Sequence, residues 1–401
     1  MSRRLRAVDV LVVGAGPAGL AAARRLAAAG AGTVEVLERQ RHALGARGPA
    51  RAAVRAGAVL RAGVTATGWA GPLTLDTTGP DGLERITARA VVLATGARER
   101  PRSARLVPGT RPAGVLTAGE LRQAVYGYGQ YVGTRALVVG AEPVAFGAVR
   151  ALRRAGVRVV ALVTEEPWRR PGAFGPGRTP VPVLGGTAVA ELLGRGRLSG
   201  VRLVGRDGRT TTVACDTVVF TGDWIPEHEL ARLGGAELDR GTRGPAVDSA
   251  FRTSQAGVFA VGGVLHGGEP AATAVAQGRT VAGPVREFLA GVPPWPAPRV
   301  PVVADAPLRW VAPNRLVPGE HTGRFLVRAR QRLERPVLSV AQDGVLLHRQ
   351  RVRGTATPSR SVSLAGGWAA AVDPGGGPVR ITVAGPPTGR RDGGPRSACR
   401  G

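Results

Sequence analysis

The residues whose types and spacing most plainly suit chemistry lie near the start of the chain. Gly14, Gly16, Pro17 and Gly19 fall in the run Gly14-Ala15-Gly16-Pro17-Ala18-Gly19, and Glu38 follows 19 residues beyond Gly19. Such a run suits a turn pressed against a pyrophosphate: Gly14 makes the tight turn, Gly16 lets backbone approach the ligand, and Gly19 allows close helix–strand packing. Pro17 fits the first helical turn, where its missing N–H costs little. The helix N-terminus then directs unpaired N–H groups and the positive end of its dipole at the phosphates. A carboxylate at position 38 would bond an adenosine ribose and favours an unphosphorylated one, as in FAD or NAD; Arg39 beside it is grouped with the same cofactor contacts.

These residues need a βαβ unit to hold them, and the flanking sequence supplies one. Val8–Val13 is a continuous apolar, β-branched run, read as a buried parallel strand. A helix over Leu20–Ala29 and a strand over Thr33–Leu37 complete the unit. Ala90-Val91-Val92-Leu93-Ala94-Thr95-Gly96 reads as a buried strand ending in a small-residue turn, and Thr217–Gly222 is its near-copy, followed by Asp223-Trp224-Ile225-Pro226. Between them lies a second βαβ: strand Ala136–Val139, the turn Gly140-Ala141-Glu142-Pro143-Val144-Ala145, a helix to about Ala155, and strand Val157–Val163. Thr253–Gly263 returns to a strand and ends in the turn Gly262-Gly263, ahead of a helix beginning near Ala271.

Composition removes several function classes. The chain has 401 residues, 43 % of them hydrophobic, which is length for two or three domains with real cores. Its formal charge is +27, and all 55 basic residues are arginine. Without lysine there is no phosphate-loop lysine, no pyridoxal Schiff base and no lysine-dependent kinase chemistry. Cys215 and Cys399 alone exclude a redox-active C-x-x-C, a four-thiolate iron–sulfur site and a Cys-rich zinc site within this chain. One Asn, three Ile and an excess of Ala, Gly, Arg and Pro point to a coding bias as the source of the charge. No zinc-finger spacing, RNA-binding signature or aromatic stacking run accompanies it, so no specific nucleic acid is expected as a partner. Arg3, Arg4 and Arg6 before the apolar run Val10–Ala23 imitate a secretion signal, but the run is too short to span a bilayer and continues into a strand. The expectation is a cytoplasmic protein with no membrane insertion.

The order of these motifs resembles the pyridine nucleotide–disulfide oxidoreductase superfamily, over about residues 5–292. Leu93–Pro101 followed by Pro112-Ala113-Gly114-Val115 looks most like the flavin subunits of amine, opine and sarcosine oxidases and related dehydrogenases. The resemblance implies an α/β fold in which an FAD-binding Rossmann-like domain is interrupted by a second, NAD(P)-type one. The expected parts are 1–125 and 250–292 for the FAD domain and 126–249 for the inserted domain. It implies FAD as cofactor, with Thr95, Gly96, Gly262 and Gly263 added to the fingerprint residues as contacts. It also places His266 and Glu269 beside the flavin ring, as proton-handling groups or as a solvated loop pair; the catalytic residues are otherwise unassigned. Arg98 and Arg100 read either as neutralising cofactor phosphates or as decorating a turn. His228 reads as a helix-surface residue and Cys215 as a small core residue.

Three departures from the family pattern stand out. Glu142 replaces the glycine that admits a pyrophosphate in the second fingerprint, which argues against NAD(P) binding there. Gly263 replaces the aspartate that bonds the ribityl chain. Thr95 follows Glu38 by only 57 positions, and Arg39–Arg61 retains Gly45 as the hint of the usual turn. Residues 165–182 read as a Pro/Gly/Arg loop. After the linker Val292–Pro298, short alternating runs predict a small antiparallel β domain over 296–384, then a disordered tail, 385–401, that holds Cys399. Arg328, Arg330 and Arg332 alternate, as do Arg349, Arg351 and Arg353. With a turn at Asp343-Gly344, the two trios are expected as neighbours in one sheet, facing solvent or an acidic partner subunit. The function expected is an FAD-dependent oxidoreductase whose flavin takes a hydride from a small amine, amino acid or hydroxy compound. The alternatives are an NAD(P)H-dependent flavin reductase and a non-catalytic flavoprotein-like scaffold subunit.

Overall fold

Strand β1 (Arg4–Val13) alternates between two cores. Val10 and Val12 enter one with Leu20, Ala22 and Leu26, while Leu11 and Val13 enter the other with Leu37, Ile86 and Val91. A strand buried on both faces is what its unbroken apolar run demands. This computed structural model describes residues 3–41, 47–167, 181–292, 295, 299–320 and 323–384. The tail 385–401 with Cys399, Gly45, residues 168–180 of the Pro/Gly/Arg loop, and linker residues 293–294 and 296–298 lie outside the described residues.

The first sheet is ordered Val59–Ala62, β2 (Val34–Glu38), β1, Gly82–Leu93, Thr74–Gly79, Thr65–Gly71. Val258–Ala260 pairs in parallel with the end of Gly82–Leu93, so a strand from beyond residue 250 completes a sheet begun at residue 4. Helices α1 (Pro17–Ala28), Arg47–Arg55, Ala271–Thr280 and Ala282–Leu289 cover one face. The helix Arg47–Arg55, which buries Ala50 and Ala53, shows that the shortened 39–61 segment keeps a helical stretch. The antiparallel strands Thr65–Gly71 and Thr74–Gly79 have no counterpart in the sequence reading.

The inserted domain is a parallel sheet ordered Val183–Gly185, Arg158–Thr164, Arg135–Val139, Thr217–Phe220, Val115–Thr117, so a strand expected in the first domain, before residue 125, pairs instead with the inserted one. Helix Pro143–Arg154 covers one face and an antiparallel meander over 187–214 the other. The chain's two crossings between domains, Ala97–Glu99 and Trp224–Pro226, pair antiparallel with each other.

The C-terminal β sheets are a five-stranded one, ordered Arg315–Leu316, Val300–Ala304, Val379–Ala384, Val337–Gln342, Val345–Arg351, a three-stranded one of Leu308–Ala312, Arg324–Ala329 and Val362–Ala365, and a two-stranded one of Leu333–Glu334 and Thr355–Ala356. All these pairings are antiparallel except Val300–Ala304 with Val379–Ala384. Phe325 stacks on Trp368 at their centre, with ring centroids 4.7 Å apart. The arginine trios are not neighbours. Arg328 lies on the three-stranded sheet, whereas Arg349 and Arg351 pair with Ser339 and Val337 on the five-stranded one. The Asp343-Gly344 turn joins Val337–Gln342 to Val345–Arg351, which leaves the first trio outside the hairpin. Arg330 donates to the Leu308 carbonyl and Arg332 pairs with Glu334.

Candidate functional site: the cleft at the first glycine turn

Gly14 follows β1 with φ +109° and donates its N–H to the Leu37 carbonyl at 2.8 Å. A side chain there would collide with the Ala94 carbonyl, and one at Gly19 would collide with that of Gly14. Nothing stands within 4 Å of a Cβ built on Gly16, so backbone is open to a ligand there. Gly16 caps α1 without a side-chain bond, and Pro17 opens the helix. The N–H groups of the first helical turn are therefore free for an anion.

Glu38 ends β2 with both carboxylate oxygens placed. One accepts from the Ala15 N–H at 3.0 Å and the other from the Gln40 N–H at 2.9 Å. It thus braces the glycine turn itself. The adjoining cleft, about 200 Å³, is lined by Glu38, Arg39 and Thr95 and by the apolar side chains Val64, Leu230 and Leu233. Thr95 donates its hydroxyl to the Glu227 carbonyl at 2.7 Å, and the Glu227 N–H donates to the Gly96 carbonyl at 2.9 Å. The Glu227 carboxylate meets Arg39 at 3.4 Å and Arg98 at 2.9 Å; Arg98 also pairs with Glu229, and Arg100 with Asp223. Arg98 and Arg100 are thereby committed to carboxylates of a turn. The cleft walls at Val64–Thr67 and Glu227–Leu233 had no role in the sequence reading. The signal that could have found the second was Pro226-Glu227, directly after the repeated strand motif.

Beside the start of α1, where a Cβ on it would stand 2.7 Å from that of Ala18, Gly262 takes φ +79° and donates to the Gln277 side chain at 2.9 Å. A Cβ on Gly263 would stand 3.1 Å from the Ala97 nitrogen and 3.2 Å from the Gly96 carbonyl carbon, so the turn over 96–97 has closed onto this glycine. Ala271 and Ala272 open the helix Ala271–Thr280 with their faces exposed.

His266 and Glu269 are not a solvated loop pair. His266 is buried, stacked on Trp310 at 4.7 Å, and both ring nitrogens lack a partner among the described residues. Burial, with Arg328 nearby, pushes its pKa down to about 4. The Glu269 carboxylate is bound by Arg328. His228 immediately precedes the short helix Glu229–Leu233 and is half-buried rather than on an exposed face. Cys215 is buried and its thiol is pushed up to about 11, chiefly by that burial, which keeps it protonated near neutrality.

In the second domain, Gly140 has φ +135°. The Glu142 carboxylate lies over this turn: its oxygens would stand 2.7 and 3.2 Å from a Cβ on Gly140 and 3.4 Å from one on Gly222. Burial pushes the Glu142 carboxyl up, against Arg105 and Thr221, which pull it down. Where a glycine would leave room for a pyrophosphate, this turn holds its own carboxyl group.

Residues 59–278 match the pyridine nucleotide-disulphide oxidoreductase family, and residues 12–70 match an NAD(P)-binding Rossmann-like domain. Sarcosine oxidase subunit alpha of Rhizobium meliloti (strain 1021) is 32 % identical over 149 residues, 37 % of this chain and 14 % of that relative's length. Thioredoxin reductase of T. acidophilum superposes with a TM-score of 0.55 at 24 % identity, covering 70 % of this chain and 98 % of its own. L-proline dehydrogenase from P. horikoshii gives 0.52 at 19 %, covering 72 % and 57 %. The NAD-dependent persulfide reductase from A. fulgidus gives 0.56 at 18 %, covering 86 % and 70 %. These structural likenesses carry the fold. Among the described residues no helix is long and apolar enough to cross a membrane.

Proposed function

The chain belongs to the pyridine nucleotide-disulphide oxidoreductase family, and on that premise we propose that it is an FAD-dependent oxidoreductase acting on a small amine, amino acid or hydroxy compound. The observation that carries this reading is the cradle of Gly14, Gly16 and Gly19 with Glu38 at its rim. It has a turn that excludes side chains, an open Gly16 and a carboxylate at the ribose position, which together fit an adenine dinucleotide. FMN has no adenosine ribose for Glu38 to hold. A bound flavin supplies the hydride acceptor. The chain's own residues bind and orient it: the start of α1 holds phosphate charge, and Thr95 and Gly96 shape the wall. The start of helix Ala271–Thr280 would offer the positive end of its dipole to negative charge on a bound flavin.

The relative named for sarcosine oxidation and the neighbour named for L-proline dehydrogenation support the amine and amino-acid end of the substrate range. The relative is a subunit, which supports a partner subunit for this chain as well. Glu142 in the second pyrophosphate seat favours electron input from such a substrate over input from NAD(P)H. The deciding experiment is the visible spectrum of the purified or FAD-reconstituted protein, with chromatography of the extracted flavin. FAD is expected, and FMN, or no flavin after reconstitution, overturns the reading. Glu38→Ala is expected to weaken FAD binding by about 1–3 kcal/mol, read by flavin titration.

A further inference from the structure

Arg328 was expected to face outward, yet it is among the most buried charges of the C-terminal β domain. It spends its guanidinium on a turn of the first domain. Its side chain is 6 % exposed and pairs with Glu269, itself 9 % exposed. It also donates to the carbonyls of Gly268 and Pro358, each at 3.3 Å, and lies 5.1 Å from the centre of the Trp310 ring. The turn it grips needs glycine: Gly267 and Gly268 take φ +59° and +72° in succession, and a Cβ on either would collide with the Trp224 side chain. Pro270 and the helix Ala271–Thr280 follow at once. Replacing a buried ion pair by well-packed apolar groups is commonly neutral or stabilising, so such a pair is better explained by the geometry it enforces than by stability.

We propose that Arg328 is a positioning residue for the start of helix Ala271–Thr280, which follows the Gly262-Gly263 turn packed on Ala18 and Gly96. Through Glu269 and the Gly268 carbonyl it holds the turn that aims the N-terminus of helix Ala271–Thr280. The proposal rests on the FAD reading of the first cleft. A helix dipole acts only over its first turn, so a loosened start weakens stabilisation of negative charge on a reduced flavin.

The test compares the FAD-loaded protein with Arg328→Met, Arg328→Lys and Glu269→Gln, reading midpoint potential, flavin content, thermal unfolding and amide exchange over residues 267–273. Both Arg328→Met and Glu269→Gln are expected to lower the two-electron reduction equilibrium about tenfold, or about 30 mV. Combining them is expected to add little, and Arg328→Lys to recover part of the shift. Amide exchange over 267–273 should quicken in both single variants while flavin content holds. A purely through-space charge effect would move the two single variants in opposite directions, because one removes a cation and the other an anion. Opposite shifts, or unchanged potential and exchange with flavin retained, overturn the proposal. Glu269→Gln is isosteric and decides the matter if Arg328→Met does not fold. A wild-type chain that takes up no flavin overturns the reading of the cleft, and the proposal with it.

Discussion

At the scale of single residues, two buried titratable groups make measurable predictions. Glu142 fills its own glycine turn, so Glu142→Gly is expected to open the second seat. Binding of NADH or NADPH should strengthen at least tenfold by calorimetry, with FAD content unchanged. In the unaltered protein neither nucleotide should bleach the flavin rapidly under anaerobic conditions. His266 is held neutral by burial, with its pKa down at about 4. The unfolded chain takes up its proton near pH 6.5, before the folded one does. Its contribution to stability is therefore complete above that pH and is lost as pH falls toward 4, to a total of about 3 kcal/mol. His266→Phe keeps a ring against Trp310 and should flatten that slope in denaturant titrations between pH 7 and pH 4. The sequence showed a histidine after a glycine turn, but its stacking partner lies 44 positions away on another domain. No local pattern carries that distance.

At the scale of elements, the first cleft depends on how closely two helices cross. A side chain on Gly278, in helix Ala271–Thr280, would collide with the Ala18 carbonyl of α1, while Gly19 rests against the glycine turn itself. Gly278→Val is expected to push the helices apart and cost about 1–3 kcal/mol by overpacking. FAD occupancy should fall with stability, because both cofactor-facing helix starts move. Thermal unfolding and flavin stoichiometry check this together. The βαβ units were legible because each strand and helix declares itself by a local run: β1 by its unbroken apolar stretch, α1 by its Pro17 start and alanines. The strands over 65–79 were not, because they are short, half-exposed and rich in Thr and Gly, with weak alternation. The first of them nevertheless forms one wall of the cleft, at Thr65–Thr67 with Val64 before it.

At the scale of the whole molecule, the C-terminal β domain is fastened to residues 237–252 by polar links centred on a buried carboxylate. Asp248 is fully buried and binds Arg252, which also reaches Glu320, while Arg299 lies 4.0 Å from the same carboxylate. Asn314 receives the Val247 N–H on its side-chain oxygen, and Arg315 pairs with Glu237. Asp248→Asn leaves two buried guanidiniums short of their counter-charge and should cost about 3–5 kcal/mol. A loss below 1 kcal/mol in chemical denaturation would show that the domains are held mainly by apolar packing. The arginine excess misled at this scale. Spacing alone set Arg328 on a surface, whereas the fold turned it inward to a carboxylate of its own chain. With Arg328 turned inward, the first trio no longer presents one shared face to an acidic partner subunit.

By itself the sequence determined the family, the interrupted two-domain α/β plan with its added β domain, and the glycine cradle. Each rests on residues close together in the chain, where backbone conformation and hydrophobic period act directly. Only the tertiary structure decided which charges are spoken for. Glu227 gathers Arg39 and Arg98, Glu269 is held by Arg328, and Glu142 folds over Gly140 and Gly222. The reason is physical. A guanidinium looks alike in sequence whether solvated or buried, and its state depends on a partner brought near by the folding of distant segments.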